Sequence, residues 1–262
     1  MKRMPVLFVG HGSPMNIMLD NTFTRSLRYL AGKIPKPEAV CVVSAHWQTR
    51  GTFVACQENL RQIYDFYGFP EELYKVHYEP AGYPKLALRA VALMHLVDPI
   101  VRCNDEWGHD HAGWSVLKHL YPAADVPVFL VSADMTAPPE RHVQLAQSLA
   151  PLRDEGVLIL ASGNIVHNLR DADFINMYAP SDRRGISFDT TVKEALLSED
   201  IDTLVNYRRL GEPALYSVPT TDHYLPLLYA AGLREEGESL SFICEMFQNR
   251  SVSMRSFLVG GE

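Results

Sequence analysis

Short apolar runs alternate along this chain with longer stretches in which apolar residues recur at three- and four-residue steps. The runs at 6–9, 39–44, 100–102, 126–131, 157–161, 241–247 and 254–259 predict strands, because brief apolar segments bounded by polar residues suit strands buried on both faces. The stretches at 22–30, 83–96, 140–152 and 191–207 carry the period of helices packed on a sheet. Their alternation predicts an α/β fold with a mostly parallel central sheet flanked by helices. Only a short Gln-Asn-Arg-Ser segment joins the last two strands, which predicts an antiparallel edge hairpin near the C-terminus. With no internal repeat, low-complexity tract or linker, a single domain over 1–262 is expected. Ala137-Pro138-Pro139-Glu140 reads as a helix start, since proline is tolerated where its missing N–H has no partner to lose.

Two connections, 47–83 and 170–187, are too long for tight turns. The first contains Ile63-Tyr-Asp-Phe-Tyr-Gly-Phe-Pro70, which reads either as a satellite hydrophobic cluster beneath a loop or as an aromatic wall for a flat substrate.

Charge narrows the function classes. A net charge of -7, with no Lys/Arg-rich run, leaves little to neutralise phosphates, so no nucleic-acid partner is expected. No segment approaches the roughly 18 consecutive apolar residues of a membrane span, and the Met-Lys-Arg-Met-Pro start leads into a short apolar stretch with no small-residue cleavage site. A cytoplasmic protein with no membrane partner is expected, as a monomer or small homo-oligomer. Cys41, Cys56, Cys103 and Cys244 are too scattered for CxxC chemistry; their number permits two disulfides, but buried free thiols are expected.

Histidines carry the candidate chemistry. His11, His46 and His167 each closely follow a predicted strand, and His223 opens a later apolar segment. Open α/β sheets bind ligands beyond the carboxyl ends of their strands, so imidazoles delivered there from distant segments suggest a metal. Glycines flank His11 and let the backbone turn sharply. Trp47 follows His46 and is a candidate to seal one side of a site, while Asp222 beside His223 is placed either to cap a helix or to orient the imidazole. His167 and His111 are the candidate proton carriers, because neutral imidazole accepts a proton near physiological pH. His109 and His111 share a face only if extended; in a loop one of them alone need reach the site, and His111 is favoured. His77, His95, His119 and His142 lack a companion motif and read as structural or exposed.

With those residues in view, the chain resembles the class III extradiol ring-cleavage dioxygenases, in particular their 4,5-DOPA branch. The resemblance rests on His11-Gly-Ser-Pro14, Ser44-Ala-His46-Trp47, Ile63 to Pro70, Trp107-Gly-X-Asp110-His111, Ser162-Gly-Asn-X-Val-His167-Asn-Leu169 and Asp222-His223-Tyr224-X-Pro226, in order through nearly the whole chain. It implies that His11, His46 and His223 hold a metal, that His167 is the acid/base or a fourth ligand, and that His111 lines the substrate or oxygen side. It also implies a DOPA-like catechol and O2 as substrates and a semialdehyde product. Fe(II) would be the active ion, with Zn(II) expected at the same site in isolated protein, because three neutral imidazoles suit both. Phe66 to Phe69 would position the ring, and Arg50 or Arg170 would meet an amino-acid carboxylate. A zinc hydrolase using the same histidines and a non-enzymatic binding protein of related fold are the alternatives.

Overall fold

Alternate residues of the central strands point into two separate apolar cores, and helices roof both. The computed structural model describes residues 3–261; Met1, Lys2 and Glu262 of the expected domain lie outside the described residues. The strands are β1 (Val6–Gly10), β2 (Ala39–Thr49), β3 (Phe53–Val54), β4 (Arg102–Cys103), β5 (Val128–Asp134), β6 (Val157–Gly163), β7 (Leu240–Cys244), β8 (Phe247–Gln248), β9 (Val252–Ser253) and β10 (Ser256–Val259). The helices are α1 (Thr22–Ala31), α2 (Pro84–Met94), α3 (His111–Leu120), α4 (Pro139–Ser148), α5 (Ala150–Asp154), α6 (Arg183–Leu197), α7 (Ile201–Val205), α8 (Glu212–Ser217) and α9 (Leu225–Gly232).

The main sheet has the order β4-β3-β5-β2-β6-β1-β10-β7. Its centre, β5-β2-β6-β1, is parallel, and β10 and β7 close one edge antiparallel as the sequence predicts. Val6, Phe8, Cys41, Val43, Ile159 and Phe129 pack beneath α2, α4, α6 and α9, while Leu7, Val9, Val40, Val42, Leu158 and Leu130 pack beneath α1 and α3. This two-sided burial explains why the strands read as continuous apolar runs.

Several boundaries differ from the sequence reading. The segment expected to be one helix at 140–152 divides into α4 and α5, with Pro151 in the first turn of α5, where its lack of an N–H does no harm. The helix expected at 191 begins at Arg183, capped by the Asp182 side chain on the Arg184 N–H. The expected C-terminal hairpin carries a second ribbon, β8 with β9, at its turn. β2 runs to Thr49 instead of Ser44 because its pairing with β5 is irregular between Val43 and Gln48 and then resumes. His46 lies in that irregular stretch; local bulges of this kind re-aim side chains.

The cysteine expectation is half right. Cys41 and Cys244 are buried free thiols, but Cys56 and Cys103 form a disulfide with a Cα–Cα separation of 5.6 Å. The reason is topological: β3 and β4 pair in parallel with Val54 opposite Cys103, which brings together residues separated by 47 positions.

Candidate metal centre

The order β2-β6-β1 sets three parallel strand ends side by side, and their register makes them level: Gly10 pairs with Gly163, and Ser44 with Ser162. His11 leaves β1 at once, its N–H donating to the Gly163 carbonyl at 3.1 Å. His46 projects from the irregular end of β2, and its N–H donates to Ser44 Oγ at 3.1 Å. His223 arrives from a turn that precedes α9 and is docked on β6 by the Asn164 N–H donating to the His223 carbonyl at 2.8 Å. A Cβ at Gly163 would fall 2.2 Å from that carbonyl, so only glycine permits the approach.

These three imidazoles form a nearly equilateral triangle. Ring centroids lie 5.2 Å apart for His11 and His46, 5.3 Å for His11 and His223, and 5.0 Å for His46 and His223. One nitrogen from each falls within 4.8 Å of the others. Each ring is oriented through Nδ1: Ser162 Oγ lies 3.0 Å from that atom of His11, the Asp65 carboxylate lies 3.0 Å from that of His46, and Asp222 accepts from His223. That leaves Nε2 of His46 and His223 for an ion, and the Nε2 atoms of His11 and His46 face each other at 3.2 Å.

Electrostatics agree with a cation-binding role. Burial, reinforced by the neighbouring imidazoles, holds His11 well below its ordinary range, and burial likewise lowers His223 despite Asp222. Burial alone would lower His46 too, but the hydrogen bond and charge of Asp65 more than reverse it. Three nitrogen donors with supported Nδ1 atoms fit a transition-metal ion.

His167 stacks face to face on His223, with centroids 3.5 Å apart and planes 8° from parallel. Its nitrogen groups with Asp222 and His223, outside the triangle of His11, His46 and His223. Burial, then the proximity of His223, keeps it neutral. His111, the first residue of α3, sets its ring 4.1 Å from that of His46 and 5.5 Å from that of His11, and burial lowers it to about 4. Of the two neighbouring histidines only His111 reaches the cluster. His109 is fully buried near Tyr78 and Gly113, with neither ring nitrogen hydrogen-bonded, and burial depresses it to about 3.

Asp65 is the functional residue that sequence reasoning missed. The signal was present as the one carboxylate within the aromatic run 63–70, but its partners lie in other segments. Burial opposes its charge, yet hydrogen bonds from His111 and His46 hold its carboxyl far below the usual range. Asp110, next to His111 in the chain, accepts from Ser44 Oγ and Trp107 Nε1 at 2.7 and 2.9 Å.

The aromatic loop forms the satellite hydrophobic cluster. Tyr64, Phe66 and Phe69 join Tyr74 and Trp114 in a satellite cluster, and the Phe66 ring meets His111 edge-on at 5.4 Å. Tyr67 is 93% exposed. Trp47 is buried and stacks on Trp107, while Arg50 and Arg170 are exposed.

Comparison with known proteins now decides the family. The pattern of the catalytic LigB subunit of aromatic ring-opening dioxygenase matches residues 6–256. The chain belongs to this family. It is 43% identical to the 4,5-DOPA dioxygenase extradiol of Escherichia coli K12 across 98% of this chain and 95% of that protein. It is 31% identical to the 4,5-DOPA dioxygenase extradiol of Beta vulgaris across 95% and 94% of the two chains. The crystal structure of an uncharacterized E. coli K12 protein superposes with a TM-score of 0.84 at 41% identity, covering 98% of this chain and 100% of that one.

As a LigB-family member the chain is an oxidoreductase of the extradiol ring-opening class, which favours that expectation over the hydrolase and binding-protein alternatives. Among the described residues of this LigB-family chain, no helix is long and apolar enough to cross a membrane.

Proposed function

We propose that this chain cleaves a DOPA-like catechol with O2 at a non-haem metal held by His11, His46 and His223. The observation that carries the reading is the imidazole triangle, with an oriented Nδ1 on every member. The full-length similarity to two proteins named 4,5-DOPA dioxygenase extradiol supplies the substrate class. Fe(II) is the ion proposed for turnover, and Zn(II) is proposed to fill the same site in isolated protein. A ferrous ion there would supply Lewis acidity toward the two catechol oxygens and electrons for dioxygen chemistry.

The chain's own contribution is to position the ring and move protons. His167 is neutral and has a lone pair for a catechol hydroxyl proton, which it can later return. His111 donates from Nδ1 to Asp65 and so keeps its Nε2 lone pair for the substrate side. Phe66, edge-on to His111, offers an apolar border for the catechol ring.

Oxygen uptake tests the proposal. Metal-stripped protein reloaded anaerobically with Fe(II) should consume one equivalent of O2 per L-DOPA and give a yellow product, while zinc-loaded protein should do neither. No uptake across a panel of catechols, with the iron bound and still ferrous, would overturn it.

A further inference from the structure

Asp65 touches two of the site's histidines at once. Its Oδ2 lies 3.0 Å from Nδ1 of His46 and accepts from Nδ1 of His111 at 2.9 Å, while Oδ1 accepts the His111 backbone N–H at 2.8 Å. The three residues come from three different elements: β2, the loop between β3 and α2, and the first turn of α3. The carboxylate is only 10% exposed and sits at the N-terminus of α3, where the exposed N–H groups favour a negative charge.

A carboxylate in this position dictates a tautomer. It can only accept, so each Nδ1 must carry hydrogen, and each neutral ring then keeps its lone pair on Nε2. For His46 that lone pair belongs to the atom 3.2 Å from His11 Nε2, within the candidate metal cluster. For His111 it belongs to the imidazole packed against both His11 and His46. An unconstrained imidazole in water favours the opposite arrangement, with hydrogen on Nε2, in which His111 would offer the site a donor and no base.

We propose that Asp65 is a positioning residue that fixes the tautomers of His46 and His111 together, so that one carboxylate prepares both a metal ligand and the base on the substrate side. This rests on the assignment of His11, His46 and His223 as the ligand set. Among the described residues, His11 has Ser162 and His223 has Asp222 at Nδ1, whereas the Asp65 carboxylate meets Nδ1 of a proposed ligand and Nδ1 of a proposed proton carrier at once.

The test uses full-length zinc-loaded protein with 15N-labelled histidine, in which long-range 1H–15N spectra report the tautomer of each ring. In the wild type, His111 and His46 should both carry hydrogen on Nδ1. In Asp65→Asn the amide nitrogen competes for these positions as a donor. His111 should shift to the Nε2–H form, and zinc affinity, measured by chelator competition, should fall about 10- to 100-fold, the usual cost of losing an outer-shell carboxylate. Unchanged tautomers and affinity in Asp65→Asn would overturn the proposal. Should that variant not fold, the wild-type spectrum still decides, because hydrogen on His111 Nε2 contradicts it outright. His11→Ala separates the two assignments: retained zinc there overturns the ligand set while leaving the tautomer result to stand alone.

Discussion

At the scale of single residues, the division of labour between His223 and His167 is the sharpest question, because the two rings are stacked and share Asp222 as a neighbour. Only His223 belongs to the triangle with His11 and His46. Removing a triangle member should therefore empty the site, whereas removing His167 should spare it and stop proton transfer. His223→Ala and His11→Ala are expected to lose most bound metal after desalting. His167→Ala should keep near wild-type metal while turnover falls about 10²- to 10⁴-fold, the usual contribution of a general acid/base. Elemental analysis beside kcat checks this, and metal loss in His167→Ala equal to that in His11→Ala would make it a fourth ligand. His11 and His46 were legible in the sequence because strand ends announce themselves. Asp65 was not, because its hydrogen-bond partner His111 is 46 positions away and nothing local distinguishes a supporting carboxylate from a solvated one.

At the scale of elements, the segment that carries Asp65 is fastened along its length to the segment that carries His111. The Cys56–Cys103 disulfide ties their starts, and Gln57 Nε2 donates to the Trp107 carbonyl at 2.7 Å. The His109 N–H donates to the Arg61 carbonyl at 2.7 Å, the Ile63 N–H returns a bond to His109 at 2.9 Å, and Trp114 Nε1 donates to the Ile63 carbonyl at 3.0 Å. In a chain-entropy model, closing a loop of this length contributes up to about 4 kcal/mol by restricting the unfolded chain. Cys56→Ser with Cys103→Ser should lower the urea midpoint accordingly yet leave metal content intact, since the bonds nearest Asp65 survive. An unchanged midpoint would show that the cross-link adds nothing to stability. The parallel sheet was readable from alternation of strand and helix patterns, and the run at 100–102 announced β4, which starts at Arg102, whereas the two-residue β3 is too short to announce itself, and the disulfide follows from its pairing with β4.

At the scale of the whole molecule, folding a two-faced sheet buries imidazoles that have nothing to do with chemistry, and these make stability depend on pH. His142 on α4 is the clean case. It is fully buried, its Nε2–H donates to the Asp134 carbonyl at 3.1 Å, and its Nδ1 has no partner. Burial lowers it to about 4, although the nearby Asp134 carboxylate pulls the other way. An unfolded histidine titrates near 6.5. Between these values the unfolded chain binds a proton that the native protein refuses, so stability rises with pH across the window. The contribution is complete above about pH 6.5 and drains away as pH falls toward about 4, by roughly 3 kcal/mol in all. His142→Gln keeps an amide donor for the Asp134 carbonyl but cannot titrate. Urea unfolding of metal-free protein at pH 7 and pH 4.5 should therefore show a smaller loss in the variant than in the wild type, by about 2 kcal/mol. Metal must be removed from both, because ligand protonation would otherwise add its own slope. Equal losses in the two proteins would mean that His142 titrates in the folded state as it does in water, and that the acid sensitivity of this fold originates elsewhere among its buried histidines.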